Sequence, residues 1–83
     1  LSWDYCLAGV VEDCGEGKDP KIRISACTKL IKNNKKNASA YINRAIGYYA
    51  IGNYKAAISD GTLAIKYNPR LTSAYINRGA AYR

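Results

Sequence analysis

The chain has 83 residues and a net charge of +7, with thirteen Lys and Arg against six Asp and Glu. A chain of this length forms one small domain with a modest core. It contains no His, the commonest general base and metal ligand, and no apolar run of the roughly 18 residues that a membrane-spanning helix needs. We therefore expect a non-enzymatic protein without catalytic, cofactor-binding or metal-binding residues and without a membrane span.

The charge is unevenly distributed along the chain. Residues 1–19 contain five acids and one Lys, whereas residues 20–83 contain twelve Lys and Arg and a single acid, Asp60. A basic surface attracts anionic partners such as acidic peptides, nucleic acid or lipid headgroups. In the simpler alternative, these Lys residues only make an outer face soluble.

Apolar residues recur at helical spacing in five segments of the chain. We predict helices over residues 2–14, 20–33, 38–51, 54–67 and 72–83, with no strand. Gly15 and Gly17 are expected to end the first helix. Asp19 is expected to cap the second, with Pro20 at its first position, where a missing N–H costs nothing.

Two stretches 34 residues apart are nearly identical. Residues 39–48 read SAYINRAIGY and residues 73–82 read SAYINRGAAY, so seven of the ten positions are the same. A period of this length, with a helix–turn–helix pattern in each unit, is typical of a helical solenoid.

The complete unit, residues 38–71, resembles the tetratricopeptide repeat (TPR) family. The resemblance is carried by eight residues at the family's spacing: Tyr41, Ala45, Tyr48, Gly52, Tyr54, Ala57, Ala64 and Pro69. It implies an all-α fold of the TPR type, a right-handed solenoid of helical hairpins in one domain of about five helices. On this basis residues 1–37 form a degenerate N-terminal repeat that caps the stack, and residues 72–83 form a half repeat or a C-terminal cap helix.

The resemblance also implies a protein- or peptide-binding scaffold, because the first helix of each repeat lines a concave face in this family. The expected peptide-binding residues are Ser39, Ile42, Asn43, Ile46, Tyr49, Ser73, Ile76 and Asn77. Asn43 and Asn77 are equivalent across the 34-residue offset, and an amide can both donate to and accept from a peptide backbone. The alternative is that both are ordinary solvated helix residues. Ser73 and Asn77 stand where one subclass carries a Lys and Arg carboxylate clamp, so we do not expect a binder of chaperone tails.

Two functions of other classes remain open. The basic segment 20–83 could bind nucleic acid, with Tyr41, Tyr49 and Tyr75 as stacking rings. Alternatively, the chain could self-associate into a homo-oligomer through its open C-terminal helix.

The three cysteines, Cys6, Cys14 and Cys27, include no Cys-x-x-Cys pair and make a poor zinc site without His. If the first two helices turn near residue 17, Cys6 lies opposite Cys27, and this is the disulfide we favour. Cys14–Cys27 is the alternative if the first helix ends early. A disulfide favours an exported, periplasmic or secreted protein, whereas three buried thiols would fit the cytoplasm.

Overall fold

The computed structural model describes residues 2–70, and side chains from residue 9 onward. Over this range the protein is all α-helical, without strands. The four helices are α1 (Ser2–Glu16), α2 (Pro20–Asn33), α3 (Ala38–Ala50) and α4 (Tyr54–Tyr67). Their bounds agree with the first four predicted helices to within two residues. The helix predicted over 72–83 lies outside the described residues.

The end of α1 differs from the sequence expectation. Gly15 does not stop the helix, which continues to Glu16, and the N–H of Gly17 still donates to the carbonyl of Asp13 at 3.1 Å. A glycine lowers helix stability by only about 1 kcal/mol. Packing of the last turn of α1 against its neighbours offsets that cost.

The helices α2 and α4 repeat each other at the 34-residue offset. Each has 14 residues. Their N-caps, Asp19 and Asn53, accept hydrogen bonds from backbone N–H groups of the first turn, and their C-caps are Asn34 and Asn68. Because side-chain oxygens satisfy N–H groups that have no partner within the helix, these caps fix where each helix begins.

The helix α3 lies at the centre of the described fold and packs against α1, α2 and α4. Connections of three or four residues place successive helices side by side in opposite directions. The core is built largely from small side chains, including Ala26, Ala40, Ala45, Ala57 and Ala64. Small residues let helix axes approach closely, and the half-buried Leu, Ile and Tyr side chains then close the edges.

Packing requires a glycine at Gly47, and backbone conformation requires one at Gly52. Gly47 lies where α3 meets α2, and a β-carbon there would be 2.8 Å from Cγ1 of Ile24 and 3.1 Å from the carbonyl oxygen of Pro20. Gly52 follows α3 with φ of +81°, a left-handed conformation that is strained for other residues.

We predict opposite effects of alanine at Gly47 and at Gly9. Gly47→Ala should lower the free energy of unfolding by about 1–2 kcal/mol, because the overpacking at Ile24 exceeds the gain in helix propensity. Gly9 lies within α1 and has open space around it, so Gly9→Ala should raise stability by about 0.5–1 kcal/mol. Urea denaturation of both variants tests this, and equal shifts would contradict the close α2–α3 approach.

The structure pairs Cys14 with Cys27, the alternative disulfide, rather than Cys6 with Cys27. The α-carbons of Cys14 and Cys27 are 4.7 Å apart, and both side chains are fully buried. The preferred Cys6–Cys27 pairing was wrong because it assumed that residues equally far from a turn near residue 17 lie opposite each other in α1 and α2. The last turn of α1 packs against the middle of α2, in a core cluster that also contains Ala26 and Ala40. This happens although α1 ends later, not earlier, than expected.

We predict that peptide mapping without reductant links the Cys14 and Cys27 peptides and leaves Cys6 to react with a thiol label. Reduction should lower the free energy of unfolding by about 3 kcal/mol, the loop-closure value for a bridge spanning 13 residues. A linked Cys6 peptide would contradict this arrangement.

The candidate peptide-binding face of α3

The helix α3 is covered on most of its circumference and leaves one stripe open. Ser39, Asn43, Ile46 and Ala50 recur at spacings of four, three and four residues, within about 60° of one another around the helix. Ser39, Ile46 and Ala50 are exposed and Asn43 is half-buried. The remaining positions from Ala38 to Tyr48 are buried or half-buried. Within the described residues, the stripe and the neighbouring Tyr49 are therefore the parts of α3 that a partner can reach.

Four of the sequence-predicted residues, Ser39, Asn43, Ile46 and Tyr49, lie on or beside the stripe. Ile42 does not. It is 6% exposed and belongs to a core cluster with Tyr41 and Ala64. The expectation that Ile42 belongs to the peptide-binding face was therefore wrong, because its side chain already packs between α3 and α4. The predicted residues Ser73, Ile76 and Asn77 lie outside the described residues.

Asn43 is the polar centre of the stripe. The last turn of α1 runs beside it, and a β-carbon at Gly15 would lie 3.9 Å from Nδ2 of Asn43. Within the described part of the chain its side-chain amide makes no hydrogen bond. The amide can therefore form hydrogen bonds with a ligand without breaking a bond inside the described fold.

An apolar patch adjoins the C-terminal end of the stripe. Ile46, Tyr49 and Tyr54 are 37%, 45% and 50% exposed, and the rings of Tyr49 and Tyr54 lie 5.3 Å apart between centroids. Sequence reasoning missed Tyr54, because it was counted only among the residues that carry the repeat pattern. Its position directly after the glycine turn was the available signal for an exposed ring.

Tyr41 is not available as a stacking ring for nucleotide bases. Its side chain is 6% exposed, its hydroxyl donates to the carbonyl of Lys35 at 2.9 Å, and its ring stacks on Tyr67 at 5.7 Å. This corrects the set of rings proposed for nucleic-acid binding. Tyr49 remains exposed, and Tyr75 lies outside the described residues.

Arg44 holds the opposite side of α3 in place. Its Nε and Nη2 donate to the two carboxylate oxygens of Asp60 on α4 at 2.7 and 2.8 Å. Its Nη1 donates to Oγ1 of Thr28 on α2 at 3.2 Å. Two tyrosine rings flank the guanidinium, at 5.6 Å for Tyr41 and 5.8 Å for Tyr48. The hydrogen bonds to Asp60 raise the pKa of Arg44 above its ordinary value, so the group stays charged.

Arg44 is thus a structural residue at the interfaces of α3 with α2 and α4. Sequence reasoning missed the partner Asp60, which is 3% exposed. The available signal was that Asp60 is the single acid of residues 20–83, since an isolated acid in a basic segment indicates a specific cationic partner. The pairing fixes the rotation of α3 between α2 and α4, and hence which residues face outward.

The side of α1 equivalent to the α3 stripe is acidic. The positions 34 residues before Ile46 and Ala50 are Glu12 and Glu16, and both are exposed. The exposed side chains of α2 and α4 include several Lys and no acid. Within the described helices, exposed acids therefore lie on α1 and exposed lysines on α2 and α4.

Within residues 2–70, no group of three or more potential ligands could hold a metal ion, and no helix is long and apolar enough to cross a membrane. Comparison with family models, curated proteins and solved structures finds no match to the chain.

We predict that Asp60→Asn lowers the free energy of unfolding by about 3–5 kcal/mol, because it leaves the part-buried Arg44 charge without a counter-ion. Adding Arg44→Gln to this variant should restore part of the loss. The neighbouring exposed Ser59→Ala is the control and should change stability by less than about 0.5 kcal/mol. Urea denaturation measures all three. If Asp60→Asn is as stable as the control, the ion pair does not hold α3 in place.

Proposed function

We propose that this chain is a TPR-type scaffold that binds an extended peptide along the exposed stripe of α3. The observation that carries the proposal is the position of Asn43. It is a half-buried amide without a partner in the described fold, on the exposed stripe of a helix that its described neighbours otherwise cover. We propose binding rather than chemistry for this stripe.

The repeat architecture is supported by three features that recur at 34 residues. These are the lengths of α2 and α4, their caps, and the sequence identity between residues 39–48 and 73–82. If Asn77 has the same place in the following unit as Asn43 has on α3, the two amides form a regular pair of hydrogen-bonding groups. Such a pair matches the regular backbone groups of a peptide in extended form.

The apolar patch supplies the second part of the proposed contact. A peptide side chain placed on Ile46 and the Tyr49–Tyr54 pair would bury apolar surface at about 25 cal/mol per Å². The acidic edge formed by Glu12 and Glu16 disfavours an acidic peptide at that end of the groove. We therefore propose that the stripe of α3 binds a neutral or basic peptide, rather than the acidic peptide that the net charge suggested.

The test begins with a peptide selected from a random display library against the full 83-residue chain. Asn43→Ala should weaken binding of that peptide by about 2- to 13-fold, the equivalent of one hydrogen bond of 0.5–1.5 kcal/mol. Ile46→Ser should weaken it through lost apolar contact. Both variants should melt within a few degrees of the parent, since neither side chain contributes to the core clusters.

Ser25→Ala on the outer side of α2 is the matched control and should bind as the parent does. If Asn43→Ala and Ile46→Ser also bind like the parent, the stripe of α3 is not the binding site and the proposal fails.

A further inference from the structure

A second surface lies on the outer sides of α2 and α4, away from the stripe of α3. Three pairs of cations recur there at the 34-residue offset. The pairs are Lys21 with Lys55, Lys32 with Lys66, and Lys36 with Arg70. All six residues are exposed. We call these six residues the basic ladder.

Helix geometry aligns the ladder on each helix. Lys21 and Lys32 are eleven residues apart, so they lie within about 20° around α2 and about 16 Å apart along it. Lys55 and Lys66 have the same spacing on α4. The two helices thus present two equivalent rows of charge.

The third pair lies just beyond the helix ends, in turns of the same geometry. The backbone N–H of Lys36 donates to Oδ1 of Asn34 at 3.0 Å, and that of Arg70 donates to Oδ1 of Asn68 at 3.2 Å. The equivalent turns place these two cations alike relative to their helices.

The exposed carboxylate beside the ladder is Asp19, which caps α2 and accepts the N–H of Lys21 at 2.9 Å. Residues 20–70 add no exposed carboxylate. Asp60, the single acid of residues 20–83, is 3% exposed and bonded to Arg44. The Arg44–Asp60 pair therefore removes the one negative charge of this segment from the surface.

Helix stability explains only part of the ladder. Lys32 and Lys66 lie in the last turns of their helices, where the helix dipole favours a cation. Lys21 and Lys55 are the second residues of α2 and α4, where the dipole disfavours one. Their recurrence at the same unfavourable position points to a role outside folding.

The residues between the lysines identify the class of partner. Ser25 on α2 and Ser59 on α4 lie within about 40° of the lysine rows and are exposed. Thr62 is exposed on the same side, but its hydroxyl donates to the carbonyl of Ile58 at 2.9 Å.

A membrane-binding face would carry exposed apolar residues beside its cations, and a protein-binding hot spot would carry a cluster of aromatic anchors. The ring centroid of Tyr67 lies 5.6 Å from Nζ of Lys66, but this ring is half-buried and single. The exposed Ile22 and Tyr54 lie about 100° away around their helices. Hydroxyls and lysines without apolar anchors are suited to phosphate groups.

We propose that the basic ladder binds the phosphate backbone of a nucleic acid, without reading its base sequence. The ladder supplies up to six phosphate contacts. It needs no stacking ring, which agrees with the burial of Tyr41.

The test measures binding of a fluorescein-labelled 30-base-pair DNA duplex to the full chain between 50 and 200 mM salt. Six neutralised phosphates predict a slope of log K against log salt of about −5, and hence roughly 10³-fold weaker binding at the higher salt. Lys21→Gln with Lys55→Gln should reduce the slope by about 2 and weaken binding at constant salt. The same double variant should melt no lower than the parent, because the helix dipole disfavours both cations.

A matched control separates the ladder from net charge. Lys18→Gln removes one charge from the acidic α1–α2 turn, and Lys55→Gln removes one from the ladder. Only Lys55→Gln should lower the slope. Equal effects of the two would overturn the proposal, since net charge alone would then explain the binding.

Two further probes decide the class of partner. Tighter binding to vesicles containing phosphatidylserine than to the duplex would assign the surface to a membrane and overturn the proposal. Tighter binding to polyglutamate would assign it to an acidic polypeptide, with the same consequence. Asn43→Ala should bind the duplex as the parent does, because Asn43 is not part of the basic ladder. A failure of the proposed peptide binding and a failure of the proposed nucleic-acid binding can therefore be distinguished.

Discussion

The ion pair between Arg44 and Asp60 is the interaction on which the described fold depends. It is bidentate, nearly buried on the Asp60 side, and extended to α2 through Thr28. Apolar contacts among alanines are non-directional and would allow α3 to rotate or slide. A planar guanidinium held by a carboxylate on one neighbour and a hydroxyl on the other allows one orientation. The open stripe of α3 is a consequence of that orientation.

The parts of the fold that were predictable from sequence are those set by local chemistry. The starts and ends of α2, α3 and α4 follow from Asn and Asp caps and a glycine turn, which act within a few residues. The incorrect assignments depended on how the helices cross. The position of Cys14 opposite Cys27 and the burial of Ile42 are set by the α1–α2 and α3–α4 packing, which periodicity alone does not determine.

The structure shows on which helices the two kinds of charge lie. The sequence alone divides the charge between an acidic segment, residues 1–19, and a basic segment, residues 20–83. In the fold, Glu12 and Glu16 of α1 occupy positions equivalent to the α3 stripe, whereas the lysines of α2 and α4 lie outward. Exposed acids thus lie on α1 and exposed lysines on α2 and α4, and these two sets of residues attract ions of opposite charge.

The disulfide has a consequence for how the molecule comes apart. Each described helix packs mainly on its neighbours in the chain, so α1 and α4 have fewer packing partners than α3. The Cys14–Cys27 bond keeps α1 tethered to α2 even when their side chains separate, and a tethered helix closes again quickly. No cysteine follows Cys27 in the chain, so α4 has no such tether. Among the described helices, α1 therefore stays attached to α2 during opening by heat or force, whereas α4 separates once the Arg44–Asp60 pair breaks.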